Sequence, residues 1–401
     1  MSSSSMPPPQ PPATPTSAKS APIKSKSSPV GKVPPFFAPH KRDQVQAFDE
    51  SVQQQEFITS NEFLECLRID DNVLPSKTPD SLLGLSIDGF CLLANDIALS
   101  IKKQREHRNL SICFFLTTHH FSLDFPSGDL LVFKDTGNKM PSGHVTGTKC
   151  RPDIIAAFKN DWIADDCTDW ALIRLAGEKA SKGKSLETQK KHAATYLHYL
   201  LLARPDFRVA QGLLTTESSL IFLVGTGGVG IQQLVVDWSH KDLYRFIYAL
   251  IYRLYHPSHF SDPSYERTGF NKKRSEASYT VRFGEKVYSD FRTIHARNPF
   301  ATRTHVLSKP LLTRGDDASA IKEQLCRAGR RFDEFTILSK IHGPKTVPGV
   351  VEAVWGEIIE DTLSSERKKH RLGLRQTGLP FTSIRTAKKM LETLFDLLEG
   401  I

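Results

Sequence analysis

Two stretches, Ala318-Ser319-Ala320-Ile321-Lys322-Glu323-Gln324 and Arg330-Arg331-Phe332-Asp333-Glu334-Phe335-Thr336-Ile337-Leu338, decide how the C-terminal part of the chain reads. Ala318–Lys322 has the texture of a short strand. The second stretch opens a helix over Arg331–His342 that turns Phe332, Phe335, Leu338 and Ile341 inward at helical spacing. Working outward, Val287–Ile294 and His305–Leu312 read as a hairpin before the strand. His370–Gln376 reads as a strand after the helix. Thr386–Leu398 reads as a second helix carrying Ala387, Met390, Leu391, Leu394 and Leu398. Residues 280–401 thus run strand, strand, strand, helix, strand, helix. The polar, turn-rich residues 257–279 before them read as a linker.

Residues 46–256 form a separate unit. Phe63, Leu64 and Leu67, then Leu92–Ile101, carry helical spacing, while Leu110–Thr117 and Leu130–Phe133 read as strands. Pro152-Asp153-Ile154-Ile155 opens a further strand, and the apolar run Thr168–Leu175 leads to Gly177-Glu178-Lys179. Ser185 caps a helix over Leu186–Ala203. Strands over Ser219–Val224 and Ile231–Val236 precede a helix from Lys241 to Tyr255 with one apolar face. This order makes an α/β domain with its own core.

Residues 1–45 differ in kind. This segment carries eleven of the 24 prolines and abundant serine, and it lacks the apolar content to bury a core, so disorder is expected. Up to Arg42 it has six basic residues and no acid, which is six of the net +9 charge. The basicity is therefore poor evidence that the folded part binds nucleic acid. The first residues have no apolar core, so a secretory signal is not expected, and no apolar run approaches the roughly 20 residues that cross a bilayer. The six cysteines are scattered, with no C-x-x-C pair, as expected of reduced thiols in an intracellular protein, cytoplasmic or nuclear.

Three local patterns resemble functional motifs and are read otherwise. Gly225-Thr226-Gly227-Gly228-Val229-Gly230 has the dinucleotide-binding spacing, but strand-like Ile231–Val236 follows where a helix N-terminus is needed, so a turn between antiparallel strands is expected. His240-Lys241-Asp242-Leu243 mimics a kinase catalytic loop, yet Ile247 stands where a metal-binding Asn belongs. Ser239 and Asp242 are read as cap and first-turn acid of the next helix. His119 and His120 have no metal-ligand partners at suitable spacing and are read as turn or surface histidines.

The C-terminal blocks, from Ile321-Lys322 through Glu334 to Val347-Pro348-Gly349-Val350-Val351 and Arg371–Pro380, resemble the nucleotide lobe and hinge of the fungal-type protein kinase domain family. Arg151–Ile155, Gln189–Leu202 and Arg204-Pro205-Asp206-Phe207 resemble the region that precedes its kinase core. The resemblance covers roughly residues 145–401. It implies that Lys322 contacts the α/β-phosphates of ATP and that Glu334 holds that lysine. Two departures matter. The turn Ala296–Thr304 has no glycine to let backbone N–H groups reach phosphates, and the family's catalytic and metal-binding loops would fall beyond Ile401. The expectation is a catalytically incomplete, pseudokinase-like or fragmentary form, with weak ATP binding, no Mg²⁺ ligand set and an unidentified protein partner.

An alternative lies upstream. Asp153 and the strand ending at Glu178-Lys179 resemble the PD-(D/E)xK nuclease-like fold, in which two acids hold a divalent cation and a lysine assists water. That spacing would place the lysine at Ala180; Lys179 instead follows Glu178 directly, and neighbouring strand residues face opposite ways. A nuclease-like scaffold without activity is expected. A nuclease acting on nucleic acid and a non-enzymatic interaction module are the competing readings. The fold class expected is mixed α+β or α/β: a disordered tail, a nuclease-like α/β domain and a kinase N-lobe-like domain.

Overall fold

The computed structural model describes most of residues 56–375, with its longest gaps at 76–86 and 114–128, and beyond 375 only positions 386 and 391. The expected N-terminal tail, His119 and His120, and almost all of the expected helix Thr386–Leu398 lie outside the described residues. What is described is a mixed α+β structure with two seven-stranded sheets.

The first sheet has the order β1-β7-β6-β5-β4-β3-β2. Its strands are β1 (Glu56–Phe57), β2 (Leu131–Asp135), β3 (Ile154–Phe158), β4 (Leu175–Lys179), β5 (Val209–Thr215), β6 (Ser219–Thr226) and β7 (Gly230–Asp237). β2, β3 and β4 form an antiparallel meander; β5 then returns parallel to β4 through helix α3 (Leu186–Ala203). Successive residues point to opposite faces, so both faces are apolar: Leu220, Phe222 and Val224 enter one core, Ile221 and Leu223 the other. α3 covers one face. Helices α1 (Ser60–Leu67), α2 (Ile87–Cys113) and α4 (Leu243–Tyr255) cover the other, giving three layers.

The second sheet has the order β13-β14-β12-β11-β10-β9-β8 and is antiparallel throughout. Its strands are β8 (Tyr265–Asn271), β9 (Glu276–Phe283), β10 (Lys286–Arg297), β11 (Thr304–Ser308), β12 (Ala320–Arg327), β13 (Ala353–Glu360) and β14 (Arg367–Leu374). Helix α5 (Glu334–His342) lies between β12 and β13 in the chain. β10 carries two register shifts, and Asp290 beside the first has φ +64°. Such bulges increase twist and bend a strand. The sheet curls far enough for Trp355 of β13 to stack on Phe283 of β9, ring centroids 4.1 Å apart, over a core holding Tyr279, Phe291 and Ile321.

Several expectations change. The span 257–279, read as a linker, supplies β8 and the start of β9. Leu110 to Cys113, read as the start of a strand, continue α2. The apolar run from Thr168 is turn until β4 begins at Leu175. α5 begins at Glu334, and its Ile341, expected inward, is exposed.

Beneath the sheet lies a buried charge network. Arg371 of β14, its side chain wholly enclosed, donates to Glu323 (2.8 Å), Asp262 (2.9 Å) and Glu357 (2.9 Å); Lys369 donates to Asp262 (2.5 Å). It ties β12, β13 and β14 to the segment that leads into β8.

Candidate functional site

Lys322 and Glu334 meet as expected. Along β12, Lys322, Gln324 and Cys326 face α5 while Ile321 points into the opposite core. Asp333 caps α5: its carboxylate accepts from the Thr336 backbone N–H (2.8 Å) and hydroxyl (2.6 Å), which hold its carboxyl below the usual range. The cap places Glu334 in the first turn, where both its oxygens accept from the Lys322 ammonium, at 2.8 and 2.6 Å. Gly356 lets the helix approach β13, because a Cβ there would stand 2.5 Å from the Phe335 ring. The pair is about one-third exposed, so its own contribution to stability is on the order of 0–1 kcal/mol. It borders a cleft of about 180 Å³ that Gln324, Glu357 and His370 also line. That volume suits a phosphate-sized group better than a whole nucleotide, for which pockets of about 300–1,000 Å³ are usual.

The turn between β10 and β11 departs further from a phosphate-binding loop than its lack of glycine implies. It is already engaged: the Pro299 carbonyl accepts from Gly228 N–H (3.1 Å), and Phe300 is buried in the core beneath α3. Gly228, at φ +78°, sits in the glycine-rich turn between antiparallel β6 and β7, as its strand-like surroundings predicted. Next to it, Arg303 donates to the Leu201 and Arg204 carbonyls at the C-terminal end of α3, an arrangement that complements that end of the helix dipole.

In the first sheet, Asp153 and Glu178 come together. Asp153 precedes β3 and accepts from the Lys179 backbone N–H (2.9 Å). Glu178 is buried in β4. Tyr196 of α3 donates to it at 2.6 Å, and His192, one turn earlier, stands 3.4 Å away. Burial raises both carboxyls; the Asp153 charge raises Glu178 further, while the like charge that raises Asp153 is that of Asp135. The Lys179 residue is exposed while Glu178 is enclosed, as alternation requires. Gln189 does not join the acids; it donates to the Ser181 and Lys184 carbonyls and pins the loop before α3. Tyr196 and His192 were missed by sequence reasoning, although their i, i+4 spacing on an apolar helix was a signal. No group of three or more His, Cys, Asp or Glu among the described residues could hold a metal ion.

The kinase-loop mimic His240–Leu243 is the entry to α4. Asp242, expected as the first-turn acid, occupies the cap position in place of Ser239 and makes no side-chain cap bond; its N–H donates to His240 Nδ1 (3.1 Å). Cys66, Cys91, Cys150 and Cys326 are not in disulfides, and no described helix is long and apolar enough to cross a membrane. No known family model, curated protein or solved structure matches the chain.

Proposed function

We propose that residues 286–374 form a nucleotide lobe of the fungal-type protein kinase kind, serving binding or regulation rather than phosphoryl transfer. One observation carries this reading. Lys322 lies on the third of the strands β10, β11, β12, β13 and β14, and Glu334 on the helix immediately after it grips that lysine with both oxygens. A kinase uses that strand position and that helix to place a charged lysine beside the α/β-phosphates of ATP. A lysine–glutamate pair this exposed adds little to stability, which favours a role in positioning. The glycine-free turn, clamped against the first sheet through Pro299 and Phe300, lacks the freedom to fold over phosphates. ATP would therefore bind weakly, through its phosphates, and a protein partner is the natural client of such a lobe.

The test is thermal unfolding with increasing ATP. The reading expects a rise in Tm for the wild-type chain that is lost in Lys322→Met, whose Tm without nucleotide stays within about 1 °C because the pair is exposed. No rise at saturating ATP would leave the interaction-module reading in front.

A second reading rests on the juxtaposed Asp153 and Glu178 in a β2-β3-β4-α3-β5 unit, which is compatible with a nuclease-like scaffold. Tyr196 and the Lys179 N–H already occupy lone pairs that a cation would need, which favours a scaffold without hydrolysis. Metal-dependent cleavage of plasmid DNA, abolished by Asp153→Ala, would reverse this ranking.

A further inference from the structure

Between the first sheet and α4 lies a pocket of about 20 Å³, lined by Arg174, Gln211, Arg253, Ser261 and the rings of Phe207 and Phe260. A cavity needs roughly 10–15 Å³ to hold one water, so this one takes a single small particle. Arg253 is engaged with the Leu67 and His256 carbonyls, but two other polar groups of the lining are unmatched. Gln211 is 1% exposed, and neither its amide nitrogen nor its oxygen has a hydrogen-bond partner. The Nε of Arg174 is enclosed and equally unpartnered. Its guanidinium lies 4.8 Å from the centroid of the Phe158 ring and 5.8 Å from that of Phe207, and no carboxylate among the described residues pairs with it.

Neighbouring acids are already committed. Arg204 holds Asp206 through two bonds of 2.8 and 2.5 Å, and Arg267 holds Asp161 through two of 3.0 Å. Arg174 has no direct carboxylate partner among the described residues. Burial, then the charges of Arg204 and Arg267, push its pKa down to about 9, although Asp206 and Asp161 oppose the shift from a distance.

We propose that this pocket binds one small monovalent anion of chloride size, held between the Arg174 guanidinium and the Gln211 amide. A neutral water would satisfy the amide but leave the arginine uncompensated, and phosphate or carboxylate ligands are too large for the space. The anion would join β5 to the packing of α4, so its binding stabilises the folded first sheet.

The experiment follows thermal unfolding of the full chain as sodium chloride replaces sodium gluconate at constant ionic strength. A Tm rise of roughly 2 °C is expected once chloride reaches about ten times its Kd, with no rise in Arg174→Met. Equal rises in both proteins would overturn the proposal. Because Arg174→Met can lose folding outright, bromide-soaked crystals of the wild-type protein give an independent readout. An anomalous peak between Arg174 and Gln211 supports the site; a pocket holding only water, or nothing, overturns it.

Discussion

Replacing Arg371 by Met removes the cation at the centre of the buried network; Lys369 still pairs with Asp262 and Glu323, while the Arg371 bond to Glu357 is lost. Methionine fills most of the volume, so the cost is mainly electrostatic. Removing one partner of a buried pair costs about 3–5 kcal/mol, and three carboxylates depending on one guanidinium argue for the upper part of that range. The cost should depend on pH. In the wild-type protein burial pushes the Asp262 and Glu323 carboxyls up, but Lys369 and Arg371 outweigh it and hold both below the usual carboxylate range. Their stabilisation is therefore complete above the unfolded pKa of about 4 and is lost as pH falls through the lower folded values. In Arg371→Met burial dominates, the carboxyls protonate more readily, and the gap to wild type should narrow between about pH 7 and pH 5. Urea unfolding at several pH values measures this, with Arg282→Met as a control: Arg282 pairs with Glu266 at the surface, and its loss should change stability by less than about 0.5 kcal/mol. If Arg371→Met costs no more than Arg282→Met at neutral pH, the network does not hold β14 to the segment before β8, and the reasoning fails.

Three other outcomes are expected. Asp169 is buried against Ser142 and Ala171, and burial pushes its pKa up to about 6, so stability should fall as pH rises from about 4 to about 6; Asp169→Asn should flatten that slope in unfolding measurements. Asp333→Ala removes the α5 cap and should cost about 1 kcal/mol in urea unfolding while weakening any ATP-dependent rise in Tm, since Glu334 loses its fixed first turn. Gly356→Ala drives a methyl group into Phe335 and should cost about 1–3 kcal/mol, whereas Gly269→Ala, with open space around it, should cost far less.

Much of this arrangement was legible because the signals were local. Ser185 accepts from the Thr188 N–H at the start of α3, where a cap followed by an apolar stripe predicted it. The glycine-rich turn was separable from a dinucleotide loop because only a strand could follow it. Lys322 and Glu334 were paired through the resemblance to a kinase nucleotide lobe, since one lysine and one glutamate at this spacing carry no signal of their own. Other elements had no such signal. β8 is polar at most positions because only Tyr265 and a few neighbours face the core, so an edge strand reads like a linker. β5 contains Gln211 and Gly212, which look like a turn; Gly212 is required because Leu197 lies 2.5 Å from where its Cβ would be. The run Leu110–Cys113 favours a strand by composition, but the helix formers Lys102 to Glu106 before it carry α2 onward. The docking of Pro299 and Phe300, and the meeting of Arg174 with Gln211, join segments far apart in sequence. Only the tertiary packing creates them.

The most direct test of the nucleotide-lobe reading labels the lysine itself. An acyl-phosphate derivative of ATP bound by its phosphates transfers its acyl group to a nearby amine, forming an amide and releasing ATP, and peptide mass spectrometry identifies the acylated lysine. The account expects Lys322 to be labelled, the label to fall with excess ATP, and Glu334→Gln to reduce it by roughly tenfold as the lysine loses its anchor. Labelling spread evenly over surface lysines and indifferent to ATP would contradict it.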